Sequence, residues 1–445
     1  MDLIKKVTSR ERVCEEGEER LHREFDTTQV SKKVKVVVGV DCGSTQTRAC
    51  VIDSENTDNL LEQLGVTYVI PSVSASILDD RNIPKKTNFL YDYMDTSISN
   101  LSGNMEAPFH QVRLVRGTKA MDVEEKENRL TSTTQKVVDP TFYYNIFDAI
   151  GYALIDKYEG QVPKEVEIVL SVALPPDDNN PKNIQTLQKN LVGFNWKLLE
   201  KDVVIKCTIS GVFVYTEPEA FIKAYYVLSG EDTPEATLHI EGGGRSIGAE
   251  ILVNGQTLGS AQKSIDYGGT QLKEMLGRLY VAKYGGRAPR EAALESAIRT
   301  GFLKRGNDSL DIKELLEESM RVFAAKIVDE TRLRVFDQQS KVGFQDLNVI
   351  SVSGRLFKKG KHELSLASFV AEEFAKLAPS TQFVHLEGNF IPSGLVLTAL
   401  SEMYETDEAA VEVAPSVESE VPEAQEGSSK DTEDIQISPT NTIIN

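Results

Sequence analysis

The sequence is short of the residues on which secreted and membrane-bound proteins rely. It holds four cysteines (Cys14, Cys42, Cys50 and Cys207) and one tryptophan in 445 residues. The four thiols show no zinc spacing, and the expectation is free thiols in a reducing cytosol. No apolar run approaches the roughly 18 residues of a membrane-spanning helix. The opening stretch MDLIKKVTSRERVCEEGEERLHREF lacks the apolar segment of a secretory signal. Cations are also in deficit, with 49 Lys and Arg against 68 Asp and Glu and a net charge of −19. Neutralising nucleic-acid phosphates takes clustered Lys and Arg, so this balance argues against a broad nucleic-acid face. Any connection to DNA is expected to run through a basic adaptor protein.

What is present is an ordinary globular composition, 40% hydrophobic and 26% charged. The length suggests roughly two to four domains or subdomains. Both ends differ from the middle. Residues 1–33 hold eight acids and eight bases with few apolar anchors and read as a charged arm outside the core. From Glu402 onward there are 12 acids and one lysine, so the stretch from about 404 to 445 reads as a disordered acidic tail.

Between the ends, β-branched runs bounded by turn residues alternate with helical patterns. Strands are predicted at Val34–Val40, Arg48–Ile52, Val166–Val172, Val203–Ser210, Thr237–Ile240, Ala249–Val253 and Asn348–Val352. Helices are predicted at Phe142–Tyr158, Asn183–Leu191, Pro218–Leu228, Gly269–Tyr284, Pro289–Thr300, Ile312–Arg334 and Leu364–Lys376. Strands mixed with crossover helices imply an α/β architecture with helices covering the sheets.

Two hairpins carry the chemistry. In VVVGVDCGSTQTRACVID an apolar strand ends in Asp41, followed by Cys42, Gly43, Ser44 and Thr45, and a second strand follows. In ATLHIEGGGRSIGAEILV the order repeats about 200 residues later, with Glu241 at the strand end and Gly242, Gly243, Gly244, Arg245 and Ser246 in the turn. Glycine lets a backbone approach a ligand without a Cβ clash, and successive N–H groups of such a turn form an anion nest. Ser44, Thr45 and Thr47 add hydroxyl donors. A strand-end carboxylate cannot favourably face phosphate, but it can hold Mg2+ through water. One hairpin alone reads equally well as a plain Gly-rich turn. The matched pair points to phosphates gripped from two sides and to two halves of a duplicated fold.

With these hairpins in place, the sequence resembles the actin-like ATPase superfamily. DCGST resembles its first phosphate motif, EGGGRS its second, and LNVISVSGRLFKKG its adenosine motif. Within the superfamily it is most similar to the plasmid-segregating bacterial actins of the ParM type, through VLSVALPPDD, ALESAIRTGFLKRG and HLEGNFIPSGLVLTAL. The resemblance implies a duplicated actin-like (ribonuclease H-like) fold with two lobes around a nucleotide cleft. The lobes are expected at 34–235, with an insertion subdomain at about 70–118, and at 236–403. It further implies ATP bound with Mg2+, GTP as an alternative, a self-assembling cytoplasmic filament and a DNA-binding adaptor.

The same resemblance assigns roles. Asp41 and Glu241 are candidate metal and catalytic acids. Gly43, Ser44, Thr45, Thr47, Gly243, Gly244, Arg245 and Ser246 are candidates to cradle phosphate. Arg48 falls where actins place a lysine against the phosphates. Glu217 falls where the family orients the attacking water; a carboxylate there also suits a helix start, so Glu217 is read as catalytic and Glu219 as the cap. Ser353, Gly354 and Arg355 fall at the adenosine strand end. The departures are Glu241 for the usual Asp, Gly248 for a frequent Asp, and Ser353-Gly354 for Gly-Gly. They imply slow hydrolysis or relaxed nucleotide choice. A subunit contact at Phe89, Tyr91 and Tyr93 competes with a local minicore there. A chaperone would need a further domain and a sugar kinase a general-base Asp, neither of which is evident; a non-hydrolysing nucleotide scaffold stays open.

Overall fold

The computed structural model describes residues 10–11, 28–54, 59–76, 94–101, 111–116, 127–129, 136–305, 308–336 and 342–412. Cys14, the aromatic trio Phe89, Tyr91 and Tyr93, and the acidic tail from residue 413 on lie outside the described residues, while residues 404–412 continue the helix Ile391–Glu412. The chain divides into one unit of residues 1–402 and a second of 403–445.

Alternating and continuous β-branched runs build two sheets in the first unit. In the large sheet, strand Thr28–Cys42 pairs antiparallel with Gln46–Asp53, which pairs antiparallel with Val66–Pro71. On its other side Thr28–Cys42 pairs in parallel with Gln161–Leu174, and that strand in parallel with Val203–Thr216. The five-stranded sheet repeats this plan. Strand Ala236–Gly242 pairs antiparallel with Ile247–Val253, which pairs antiparallel with Gln256–Ile265. Its other neighbours, Val349–Ser353 and Gln382–His385, follow in parallel. With only the five strands just named counted in chain order, each half runs 3-2-1-4-5. This is the duplication expected from the hairpins, now carried by ten strands.

Strands in parallel sheets are buried on both faces and read as continuous apolar runs. Val36, Val38, Ile168 and Leu170 accordingly lie in one core with Phe142, Phe147 and Ile150 of the helix Pro140–Lys157. Leu238, Ile240, Ile350 and Val352 lie in a second core with Leu276, Phe323 and Val370. The first strand starts at Thr28, six residues before the sequence pattern turns apolar, because parallel pairing with Gln161–Pro163 continues beyond the buried part. Arg10–Glu11 pairs with Val66–Thr67, so part of the charged arm belongs to the sheet.

The large sheet continues from Val203–Thr216 through Phe194–Leu198 to Met94–Asn100, Gln111–Arg116, Val73–Ser76 and Glu127–Arg129. The strands of the predicted insertion therefore join the sheet edge-on. A buried ion pair fixes them: Arg116 Nε donates to Asp148 Oδ2 at 2.6 Å, and both residues are fully buried. Arg116 Nη1 also donates to Asn145 Oδ1 at 2.5 Å, and Trp196 Nε1 donates to Asp148 Oδ1 at 2.8 Å.

Two helices close the arrangement behind the hairpins. Glu217–Ser229 starts where Val203–Thr216 ends, and Ile391–Glu412 runs past it. The approach of the helices demands glycine, since a Cβ on Gly394 would overlap the Ala220 carbonyl oxygen; on the strand Thr28–Cys42 a Cβ on Gly39 would overlap the Pro392 carbonyl oxygen.

Candidate active site

Both hairpins close with the same turn. Gly43 N donates to Gln46 O at 3.1 Å, and Gly243 N donates to Ser246 O at 2.9 Å. Asp41 stands opposite Arg48 and Glu241 opposite Gly248, so the two acids hold equivalent positions. The turns also approach one another. A Cβ placed on Gly244 would lie 3.8 Å from Ser44 Oγ and 3.9 Å from Thr45 Cγ2. The sequence-predicted residues Gly43, Ser44, Thr45, Gly243, Gly244, Arg245 and Ser246 thus share one locus.

Thr47 is different. Side chains alternate along a strand, and Thr47 is fully buried, with its hydroxyl 2.8 Å from Ser72 Oγ. It braces the hairpin and does not line the turn. Ser72 N reinforces the same corner by donating to Thr45 O at 3.0 Å.

The charges gather at the first turn. Asp41 is buried, and its Oδ2 lies 3.2 Å from Arg48 Nη1. Burial raises its pKa from 3.8 to about 6; Arg48 and Lys136 oppose the rise, and Glu217 and Glu241 add to it. Such a carboxylate is short of positive charge. Arg48 has capacity left as well, since its Nε is buried without a hydrogen-bond partner.

Glu217 is the first residue of the helix Glu217–Ser229, and it is not the cap. Thr216 caps the helix by accepting from Glu219 N at 3.2 Å. Glu219, expected to cap, pairs instead with Lys223 at 3.0 Å along the same helix. A hydroxyl at the position before the helix serves as a cap without distorting the first turn, which leaves the Glu217 carboxylate for another partner. That partner is Lys136, whose Nζ lies 3.2 Å from Glu217 Oε1. The sequence reading did not single out Lys136, which lies in the polar stretch before the helix Pro140–Lys157. Burial opposes its charge, but Glu217, Cys42 and Asp41 more than offset this, and its pKa is raised.

At the second hairpin Glu241 turns toward the adenosine strand end. Ser353 Oγ donates to Glu241 Oε2. Ser353 Oγ also lies 2.9 Å from His239 Nε2, and His239 Nδ1 lies 2.8 Å from Ser351 Oγ. Burial lowers the His239 pKa, and its ring stacks on Phe221 at 4.9 Å. Gly354 has φ +93°, and a Cβ there would strike the Glu241 carboxylate. Glycine is required on both counts. The space at Gly248 is also filled: a Cβ would meet Pro176 and Pro218 at 3.3 Å.

Arg355 lies further out, half exposed and paired with Glu295 of the helix Glu291–Thr300. Beside it a groove of about 570 Å3 opens between Gly269–Tyr284 and Glu291–Thr300, lined by Thr270, Lys273, Gly277 and Leu294 among others.

The donor set fits a hydrated Mg2+ shared with phosphates better than a protein cage. Mg2+ keeps several waters and takes one or two carboxylates. Among the described residues no group of three or more His, Cys, Asp or Glu could enclose a metal ion, whereas the buried, under-compensated Asp41 sits at the nest.

No family profile matches the sequence, and no curated protein does. Solved structures do match. Ta0583, an archaeal actin homolog, aligns at TM-score 0.60 and 14% identity over 83% of this chain and 100% of that one. ParM of Bacillus thuringiensis with ATP aligns at TM-score 0.54 and 13% identity, over 83% and 99%. A non-polymerisable quadruple mutant of pCBH ParM aligns at 0.53 and 12%, over 82% and 99%. The chain has the actin-like fold, similar to that of the ParM proteins and the archaeal actin homolog.

Proposed function

We propose that this chain is a nucleotide-dependent, polymerising actin-like protein. It takes ATP, with GTP as the alternative, between the two turns and hydrolyses the β–γ phosphoanhydride bond. The observation that carries the reading is the facing pair of identical Gly-turns, Gly43–Gln46 and Gly243–Ser246, each preceded by an acid. Neighbours of the same fold include a ParM with ATP, an archaeal homolog with ADP and a ParM whose mutant is called non-polymerisable. Nucleotide binding and self-assembly are carried to this chain from there.

Phosphoryl transfer asks the protein mainly for positioning and charge stabilisation. The turn N–H groups and the hydroxyls of Ser44 and Thr45 would hold the phosphates, and Arg48 would add positive charge. Glu217 would orient the attacking water. Asp41 would hold the water shell of Mg2+, which would supply charge neutralisation when bound. Glu241, committed to Ser353, would fix the nucleoside end of the cleft, with Ser353, Gly354 and Arg355 on the nucleoside side. Residues 34–235 and 236–403 are assigned as the two lobes and the strands within 70–118 as a polymer contact. In the cytoplasm, the filaments would move DNA such as a plasmid through a basic adaptor, since the chain's own charge of −19 disfavours direct contact.

Light scattering and phosphate release on adding ATP or GTP with Mg2+ test the reading. Scattering that rises and then falls as phosphate appears is the expected result. Nucleotide binding with neither signal would replace the filament with a scaffold.

A further inference from the structure

Lys136 lies on the single turn Lys136–Val138, just ahead of the helix Pro140–Lys157. It is 6% exposed, and long cations are seldom buried without a task. Its Nζ donates to Cys42 O at 3.2 Å and to Glu217 Oε1 at 3.2 Å. Cys42 is the last residue of the first hairpin's leading strand, and Glu217 the first of the helix Glu217–Ser229. One ammonium therefore ties the phosphate turn to the water-orienting carboxylate. These groups are far apart in sequence, 94 residues in one case and 81 in the other.

A glutamate at a helix start has several rotamers open to it, and water orientation requires one of them. The contact with Oε1 selects a rotamer and leaves Oε2 for a water. Anchoring Nζ to a backbone carbonyl of the turn sets that rotamer relative to the phosphate nest itself. Lys136 also acts on Asp41 electrostatically, but Asp41 takes its ion pair from Arg48, and the hydrogen bonds of Lys136 Nζ go to Cys42 O and Glu217 Oε1.

We propose that Lys136 is the positioning residue of Glu217, holding its carboxylate in register with the first phosphate turn for hydrolysis. This rests on the reading of the cleft as a nucleoside-triphosphatase site. It acts through Glu217 and need not touch the nucleotide.

The test compares wild type, Lys136→Met, Lys136→Arg, Glu217→Gln and the double variant Lys136→Met/Glu217→Gln. Phosphate release from Mg–ATP and binding of a fluorescent ATP analogue are measured for each. Displacing a positioned group by about 1 Å can lower a rate on the order of a hundredfold. Lys136→Met is expected to lower kcat at least about tenfold, with analogue affinity kept within about threefold. Lys136→Arg, which retains a donor and is the variant least disturbing to folding, should recover most of the rate. The double variant should be no slower than Glu217→Gln, because the lysine has nothing left to position. Wild-type kcat in Lys136→Met overturns the inference, as does a double variant in which the two losses multiply. Loss of analogue binding in both lysine variants also overturns it, marking a merely structural cation. If wild type itself releases no phosphate, the triphosphatase reading fails and this inference with it; if only the lysine variants behave as wild type, this inference fails alone.

Discussion

Glu250 offers a stability switch whose sign and size follow from its surroundings. It lies on strand Ile247–Val253, fully buried, and its Oε2 accepts from Thr216 Oγ1 at 2.6 Å. Strand neighbours His239 and Gln262 flank it, and Glu219 and Lys223 act on it from the helix Glu217–Ser229. Burial raises its pKa from 4.5 to about 7, against the opposing hydrogen bond from Thr216. The folded state therefore keeps a proton that the unfolded chain releases. The resulting stabilisation is complete below pH 4.5 and is lost as pH rises through about 7. A gap of about 2.5 units at roughly 1.4 kcal/mol per unit gives on the order of 3 kcal/mol. Glu250→Gln keeps the shape and an acceptor for Thr216 but cannot ionise. Urea unfolding of both proteins at pH 5, 6, 7 and 8 should give similar stabilities at pH 5, with the variant ahead by about 1–3 kcal/mol at pH 8. Asp41, whose pKa of about 6 falls in the same range, is present in both proteins and cancels in the difference. A difference independent of pH would refute the assignment of a buried, protonated Glu250.

Asp148→Ala should destabilise the first half by about 3–5 kcal/mol in chemical denaturation, because it leaves the fully buried Arg116 without its carboxylate; a loss below about 1 kcal/mol would mean that Asn145 and Pro71 O suffice. Gly394→Ala should lower the melting temperature or abolish folding, since the new methyl overlaps Ala220 O and overpacking commonly costs about 1–3 kcal/mol or more. Gly277→Ala is the matched control: its Cβ would meet only Leu294 Cδ1 at 3.4 Å and Ala288 Cβ at 3.7 Å, and alanine favours the helix Gly269–Tyr284 by up to about 1 kcal/mol. Equal effects at the two glycines would discount the close approach of the helices.

The features legible from sequence were those written locally. Within each hairpin the acid and its turn lie within a few residues of one another, and the seven predicted helices agree with the observed ones to within two residues at each end. Phe194–Leu198 was missed because its place depends on pairing with Val203–Cys207 and Met94–Asn100, which no local pattern encodes. Lys136 was missed because its partners are far away in the chain and its own neighbourhood is polar. His239 and Glu250 sit inside apolar strands, in LHIEG and GAEILV, where a single polar residue looks like the solvent side of an alternation. Both faces of these strands are in fact covered, so the polar side chains had to find partners inward. That was the available signal: a titratable residue in a run otherwise apolar on both parities.

Two of the three departures from the actin-like motifs prove to be in contact. Glu241 stands where an Asp is usual and Ser353 where a Gly is usual, and the Ser353 hydroxyl donates to the Glu241 carboxylate. The extra methylene carries the acid away from its turn to the end of the neighbouring parallel strand, where the extra hydroxyl receives it. Asp41, one methylene shorter, stays beside Arg48 at its own turn. The halves therefore keep one backbone design but separate its duties: a carboxylate under-compensated for charge at the first turn, and a hydrogen-bonded brace at the second. Glu241 and Ser353 therefore compensate one another. Glu241→Asp alone leaves the fully buried Ser353 hydroxyl with only His239 Nε2 as partner, and Ser353→Gly alone removes the hydroxyl that donates to the Glu241 carboxylate; losing one such hydrogen bond costs about 0.5–1.5 kcal/mol. The double variant Glu241→Asp/Ser353→Gly removes both partners together. Its loss of stability in denaturant should fall short of the sum of the single losses by about 1 kcal/mol, within the range of coupling seen between contacting residues. Strict additivity would mean that the two departures arose and act independently, and that Glu241 is free to serve the metal as its shorter counterpart does.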